Sequence, residues 1–229
     1  LAERAAHGVE VRVFYDDVGS IGFITSAFVK KLESRGIQCR QFNPVIPILN
    51  VFMNNRDHRK ITVVDGRIGF TGGYNLAEEY FTRTHPYGRW KDTGIRLEGD
   101  AVRSLTLIFL ELWGATQKEP PEIERYLPEV PYTARENAVV LPYADNPLDD
   151  EATGENVYLN MMRSAKEYVY ITTPYLILSD EMQRTLRLAA SSGVDVRIIT
   201  PGIPDKKLIF SVTRSYYAAL AKSGVRIYE

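Results

Sequence analysis

Gly8-Val9-Glu10-Val11-Arg12-Val13 near one end of the chain and Gly193-Val194-Asp195-Val196-Arg197-Ile198 near the other decide the fold. Each opens on a glycine at the end of a helical stretch and runs on into apolar, β-branched residues. That is the pattern of a helix C-cap leading into a buried strand. A second unit of the same form follows each. Phe28 to Arg35 leads into Gly36-Ile37-Gln38-Cys39, and Tyr216 to Ser223 leads into Gly224-Val225-Arg226-Ile227-Tyr228. The separations are 185 residues (8 to 193) and 188 residues (36 to 224). Offsets so nearly equal read as an internal duplication; the competing reading is that any α/β protein reuses helix-glycine-strand. The fold class is α/β.

Working outward, strands are expected at 9–15, 37–43, 58–64, 68–71, 93–98, 138–143, 168–173, 194–199 and 225–228. Helices are expected at 21–35, 76–83, 100–116, 155–165, 179–191 and 206–223. Residues 118–137 carry Pro120-Pro121, Pro128, Pro131 and many charges, the composition of a linker. The expected division is a first domain at 1–117, a linker at 118–137 and a second domain at 138–229. Leu1 aligns with Leu186, well inside the second copy, and the counterpart of the segment after Gly36 would lie beyond Glu229. The expectation is therefore one nearly complete repeat, truncated at its N-terminus, and the first part of another.

The bulk properties narrow the field. The chain has 229 residues and a net charge of -1, which gives no support for nucleic-acid binding through bulk electrostatics. Cys39 is the single cysteine, so no internal disulfide forms. No apolar run is long enough to span a bilayer.

The chemistry lies in the first copy, after the Gly36 strand. His58-Arg59-Lys60-Ile61-Thr62-Val63-Val64-Asp65 is followed by Gly72-Gly73-Tyr74-Asn75, in the form H-x-K-x4-D-x6-G-G-x-N. Alternation along a strand puts His58, Lys60 and Thr62 on one face and Ile61 and Val63 on the other. Asp65-Gly66 is a hairpin turn signal, and the return strand brings Gly72-Gly73 back to the His58 end. Asn75 precedes Leu76-Ala77-Glu78-Glu79 and reads as a helix N-cap, aiming backbone N–H groups at an anion. An imidazole, an ammonium and a carboxamide converging on one phosphate suit attack on a phosphodiester. His58 is the candidate nucleophile. Lys60, Asn75 and the Gly73 backbone are the candidate ligands of the equatorial oxygens, where transition-state charge is spread. On spacing alone Asp65 is a turn residue. A leaving alkoxide needs a general acid. His7 reads as a helix-end residue and His85 as a loop residue, so the acid is expected from outside the chain. No second His or Cys stands at ligand spacing, so neither a metal nor a cofactor is expected. No nucleotide-binding glycine fingerprint occurs. The apolar run Val45 to Met53 reads equally as a loop touching acyl chains or as a buried connection.

These residues resemble the phospholipase D superfamily, and more narrowly the bacterial cardiolipin synthases. The likeness rests on the motif above together with Asn54-Asn55-Arg56-Asp57-His58-Arg59-Lys60, Glu79-Tyr80, Trp90-Lys91-Asp92-Thr93 and Tyr15-Asp16-Asp17-Val18-Gly19-Ser20. Thr172-Thr173-Pro174-Tyr175 and Thr213-Arg214-Ser215-Tyr216-Tyr217 extend it into the second half. The resemblance implies a phospholipase D-like α/β/α sandwich with a mixed sheet, and two pseudo-symmetric domains with one catalytic histidine each. It implies phosphatidyl transfer between phosphatidylglycerol molecules through a phosphohistidine, at a bacterial cell membrane reached by N-terminal segments this chain lacks. His58, Lys60 and Asn75 carry over directly, Asp65 as a supporting ionic residue. Asp92 or Glu79 would orient the nucleophile, with Asp92 favoured. The chain departs from the pattern in having no second H-x-K-x4-D, so the second histidine is expected from a missing half or from a dimer. Phospholipase D, another phosphodiesterase or nuclease of the superfamily, and a noncatalytic fragment are the alternatives.

Overall fold

All four glycines of the repeated pattern take positive φ: 84° at Gly8, 77° at Gly36, 96° at Gly193 and 98° at Gly224. Only glycine adopts that region freely, so each ends a helix and releases the chain into a strand. The computed structural model describes residues 1–44, 56–117, 122–133, 139–145 and 151–229. Its contacts divide the chain into two compact units, Leu1–Leu76 with Asp92–Tyr143, and Ala77–Lys91 with Ala144–Glu229. The boundaries expected from sequence run consecutively along the chain. These units do not, because 77–91 groups with the second.

In the first unit, α1 (Ala2–Ala6) precedes β1 (Val11–Asp16), and α2 (Ser26–Glu33) precedes β2 (Ile37–Phe42). β1 and β2 pair in parallel, with Val11 opposite Ile37. β3 (Ile61–Val64), β4 (Ile68–Gly72) and β5 (Gly94–Glu98) form a separate antiparallel sheet in that order. α3 (Ala101–Ala115) packs on all three of these strands. Its buried residues Val102, Leu105, Thr106, Leu110 and Trp113 recur every three or four positions, one face of a helix. Trp113 is fully buried, stacked on Phe109 at 5.8 Å and meeting Phe14 edge-on at 6.2 Å.

The second unit contains α4 (Thr153–Ser164), β6 (Tyr168–Thr172), α5 (Asp180–Ser191), β7 (Asp195–Ile199), α6 (Lys207–Ser215), α7 (Tyr217–Ala221) and β8 (Arg226–Tyr228). Its sheet is parallel, in the order β6-β7-β8. Leu159, Met162, Leu176, Leu186, Val196, Ile198, Leu220 and Val225 make the core. Ser179 caps α5 by accepting from the Met182 amide, as its sequence position requires.

The two copies share their register. An offset of 185 carries Val11 onto Val196, and 188 carries Ile37 onto Val225; all four side chains are buried. Val11 faces Ile37, and the β7–β8 pairing of Arg197 with Arg226, continued by one residue, sets Val196 beside Val225. The Glu10–Arg12 ion pair recurs as Asp195–Arg197, each at 2.6 Å. The end of α1 at Ala6 maps onto the end of α5 at Ser191. The architecture is mixed α/β, with parallel and antiparallel pairing in separate ladders.

Four expected elements change. The helix at 21–35 begins at Ser26, because Gly22 takes φ +84° and Thr25 supplies the cap to the Phe28 amide. The helix at 76–83 is a series of turns: amides of Tyr80, Phe81 and Thr82 bond three residues back, and Thr82 takes φ +55°. The left-handed backbone at Thr82 stops these turns from continuing as a helix. No strand forms over 139–143, where Pro142 lacks a donor and Val139 and Leu141 stay exposed. The helix at 206–223 breaks at Tyr216 into α6 and α7. Within the stretch expected to link the domains, Ile123–Tyr126 form a 3-10 turn, and the Tyr126 hydroxyl accepts from Arg12 at 2.6 Å. The apolar run 45–53 lies outside the described residues.

Candidate active site

The segment bearing His58 is anchored from β1. Asp16, at the end of that strand, accepts the Asp57 amide at 2.9 Å and the Gly19 amide at 2.7 Å. Arg56 pairs with Asp16 at 3.5 Å and donates to the Asn43 carbonyl at 3.2 Å. Arg59 closes back on Asp57 at 2.7 Å. His58 thus sits exposed between two residues whose side chains and backbone are tied down. The alternation argument placed His58 and Lys60 inside β3, but the strand begins at Ile61 and both lie in the lead to it. Ile61 and Val63 do turn inward, while Thr62 and Val64 are exposed.

The Lys60 ammonium folds back and donates to the His58 carbonyl at 2.6 Å. Burial pushes the Lys60 pKa below its ordinary value, while the charges of Asp57 and Asp92 pull it partly back up. Partial desolvation leaves a cation with fewer water partners, which strengthens its attraction for an anion.

The hairpin returns the glycine pair to this end. Ile61 faces Thr71 across β3–β4, so the register continued by one residue sets Lys60 beside Gly72. Across β4–β5, Gly72 faces Gly94, and the Gly73 amide bonds the Thr93 carbonyl at 3.2 Å. Asp92 lies against Gly73: a Cβ there would stand 2.5 Å from Asp92 Oδ1. Asp92 Oδ1 also accepts the Thr93 amide at 2.7 Å. His58, Lys60, Gly73, Asn75 and Asp92 therefore belong to one unit and to one end of one hairpin.

Three expectations fare differently. Asp65 takes φ +53° and Gly66 φ +62°, a two-residue turn closed by the Arg67 amide on the Val64 carbonyl at 3.0 Å. The extended strand carries Asp65 roughly 17 Å from Lys60, and it is a turn residue, as its spacing led one to expect. Asn75 caps no helix, so it brings no helix N-terminus to the site. Glu79 lies in the turns that group with the second unit. The anchoring set of Asp16, Arg56, Asp57 and Arg59 received no role from sequence reasoning. Its only local signal is the alternation of Arg56, Asp57 and Arg59 around His58. Among the described residues, no cluster of His, Cys, Asp and Glu could hold a metal ion, and no helix is long and apolar enough to cross a membrane.

A fold with an internal repeat and a His-x-Lys lead into a hairpin defines the class. The chain belongs to the family described as cardiolipin synthase, PLD-like domain, whose model matches residues 1–97 and 158–229. It is 46% identical to an uncharacterized protein of Streptococcus mutans, covering 100% of this chain and 50% of that protein. It is 36% identical to a cardiolipin synthase of Halalkalibacterium halodurans and 38% identical to one of Alkalihalophilus pseudofirmus, covering 100% of this chain and 46% of each. The chain thus spans about half the length of the curated relatives it matches. Among solved structures it resembles the polyphosphate kinase of Porphyromonas gingivalis, with TM-score 0.50 and 19% identity over 99% of this chain and 33% of that one. At that identity the likeness is one of fold.

Proposed function

We propose that this chain carries the nucleophile half of a cardiolipin synthase-type phosphatidyltransferase. His58 attacks the phosphorus of a phosphatidylglycerol, the bond to glycerol breaks, and a phosphatidyl-His58 forms. The hydroxyl of a second phosphatidylglycerol then attacks, releasing His58 and yielding cardiolipin. Lys60 and Asn75 bind the equatorial oxygens, with the Gly73 backbone beside them, and Asp92 orients the imidazole. The proton for the glycerol alkoxide comes from a second histidine. His7 is engaged with the Glu3 carbonyl at 2.7 Å at a helix end, and His85 sits in an exposed turn, so neither suits the role. We place the acid in a second catalytic half outside this sequence, or in a second copy of the chain. The longer protein works at the bacterial membrane, where its substrates lie.

What carries this reading is the hairpin that returns Gly72–Gly73 to the His58–Lys60 end, with a half-desolvated Lys60 bonded to the His58 backbone. The family and the relatives named as cardiolipin synthases support it.

The test is a single-turnover burst with a soluble nitrophenyl phosphodiester. Nitrophenolate departs without a general acid, so the step needs only the His58 half. The expected burst approaches one equivalent and disappears in His58→Ala. A burst unchanged in His58→Ala would overturn the assignment.

A further inference from the structure

Gly72 and Gly94 face each other across β4–β5, and one aromatic ring accounts for both being glycine. A Cβ at Gly72 would stand 2.8 Å from Tyr74 Cε1. A Cβ at Gly94 would overlap the same carbon and stand 3.1 Å from Tyr74 Cδ1. The Tyr74 ring therefore folds back along the sheet and lies on the bare backbone of both strands. A glycine within a strand marks such a close approach, and an aromatic ring laid over it restores the cover that the missing side chain would give.

Alternation sets the face that the ring covers. A Cβ at Gly69 would meet Leu105 and Val102 of α3, so that position turns toward the helix. Gly72, three residues on, turns away from it. Gly94 shares that face as its cross-strand partner, and Lys60 falls beside Gly72 when the β3–β4 register is continued by one residue. Lys60, Gly72 and Gly94 thus form one row across the sheet, and the Tyr74 ring fills the two places next to Lys60. An apolar ring there takes the room of water beside the ammonium, which agrees with the burial that lowers the Lys60 pKa. The ring also sets the path of the chain. Tyr74 lies between Asn75 and Gly73, whose amide bonds the Thr93 carbonyl at 3.2 Å. With its ring seated on Gly72 and Gly94, the backbone on either side of Tyr74 leaves β4 in one direction.

We propose that Tyr74 is a positioning residue of this site, its ring holding Gly73 and Asn75 at the Lys60 end of the hairpin and keeping water from the ammonium. The inference rests on the catalytic reading above and adds to it a residue that acts through its neighbours.

The experiment compares Tyr74→Ala, Tyr74→Phe and Gly94→Ala in the 229-residue chain, by the nitrophenyl burst and by NMR titration of the Lys60 side chain. Tyr74→Ala should slow the burst at least about tenfold at an amplitude still near one equivalent, with the loss in the limiting rate constant rather than in half-saturation. Its Lys60 pKa should rise toward the ordinary 10.5 as water enters. Tyr74→Phe keeps the Cδ1 and Cε1 carbons and should recover most of the rate and the parent's titration. Gly94→Ala adds one methyl group where the ring lies, so it should reproduce both effects of Tyr74→Ala. Should Tyr74→Ala fail to fold, Gly94→Ala carries the test. In the double variant the losses should not add, because the methyl group then has no ring to displace. A folded Tyr74→Ala with the parent's rate and the parent's Lys60 titration would overturn the proposal and leave the ring a cover for stability only. So would additive losses in the double variant, or a Tyr74→Phe as slow as Tyr74→Ala. If the parent itself gives no His58-dependent burst, the catalytic reading falls, and the Lys60 titration of the same variants decides by itself whether Tyr74 orders this end of the hairpin.

Discussion

Asp65 is the residue that the resemblance makes a supporting ionic group and whose backbone forms a turn. Its φ of +53° tolerates asparagine as well as aspartate, since both reach the left-handed region through short polar side chains. Asp65→Asn should leave urea stability within about 0.5 kcal/mol and the nitrophenyl burst intact. A burst lost at unchanged stability would return Asp65 to the chemistry. Gly66→Ala is the contrast, because its Cβ would stand 2.5 Å from the Tyr126 carbonyl oxygen at a φ of +62°. It should cost ~2 kcal/mol or more in the same urea series. Lys60 offers a second residue-scale prediction. Burial lowers its pKa, and Asp57 and Asp92 oppose that lowering. Asp92→Asn should therefore lower it further, read by side-chain NMR titration of the lysine. The linked effect has a definite sign. Between the lowered folded value and the ordinary 10.5, the unfolded chain binds more protons, so this group's contribution to stability rises with pH across that window. Asp92→Asn should widen the window downward; an unmoved Lys60 titration would remove Asp92 from its neighbourhood.

Elements were legible where a periodic pattern and a local signal agreed. β1, β2, β7 and β8 follow from apolar runs behind glycines, β6 from an aromatic and β-branched run, α3 from its apolar spacing and α5 from its cap. The turns at 76–83 look like a helix in the sequence because four helix formers after an asparagine resemble an N-terminus, while the left-handed backbone of Thr82 has no signature in a threonine. The run at 139–143 has the composition of a strand, but a strand exists only where a partner ladder does. The anchoring of His58 was illegible for a different reason: Asp16 lies 41 residues from the Asp57 amide it accepts. That anchor makes an element-scale prediction. Asp16→Ala removes acceptors from the Asp57 and Gly19 amides and the partner of Arg56. Acting through position, it should slow the burst while leaving its final amplitude at one equivalent. Asp16→Asn, which keeps an acceptor oxygen, should recover part of the rate. Equal losses in both variants, tracking a lower melting point, would mean a purely structural role.

At the scale of the molecule, the two units repeat a strand register but bury it under different cores. In the first, Trp113 of α3 lies against Phe14 and Phe109 and under the guanidinium groups of Arg12 and Arg40, at 5.2 and 4.3 Å. In the second, Leu186 and Ile198 are fully buried among Leu159, Leu176, Val196 and Leu220. No residue is shared between the two sets. Trp113→Ala should cost ~3–5 kcal/mol and Leu186→Ala ~2–5 kcal/mol, each confined to its own unit. Amide hydrogen exchange resolves the two. Trp113→Ala should speed exchange along β1 and β4 and leave Val196 and Ile198 protected, and Leu186→Ala should do the reverse. The segment bearing His58 hangs from β1, so only the tryptophan variant should also lose the burst. If either substitution released protection throughout the chain, the units would fold as one cooperative body, and the repeat would be a matter of ancestry rather than of independent stability.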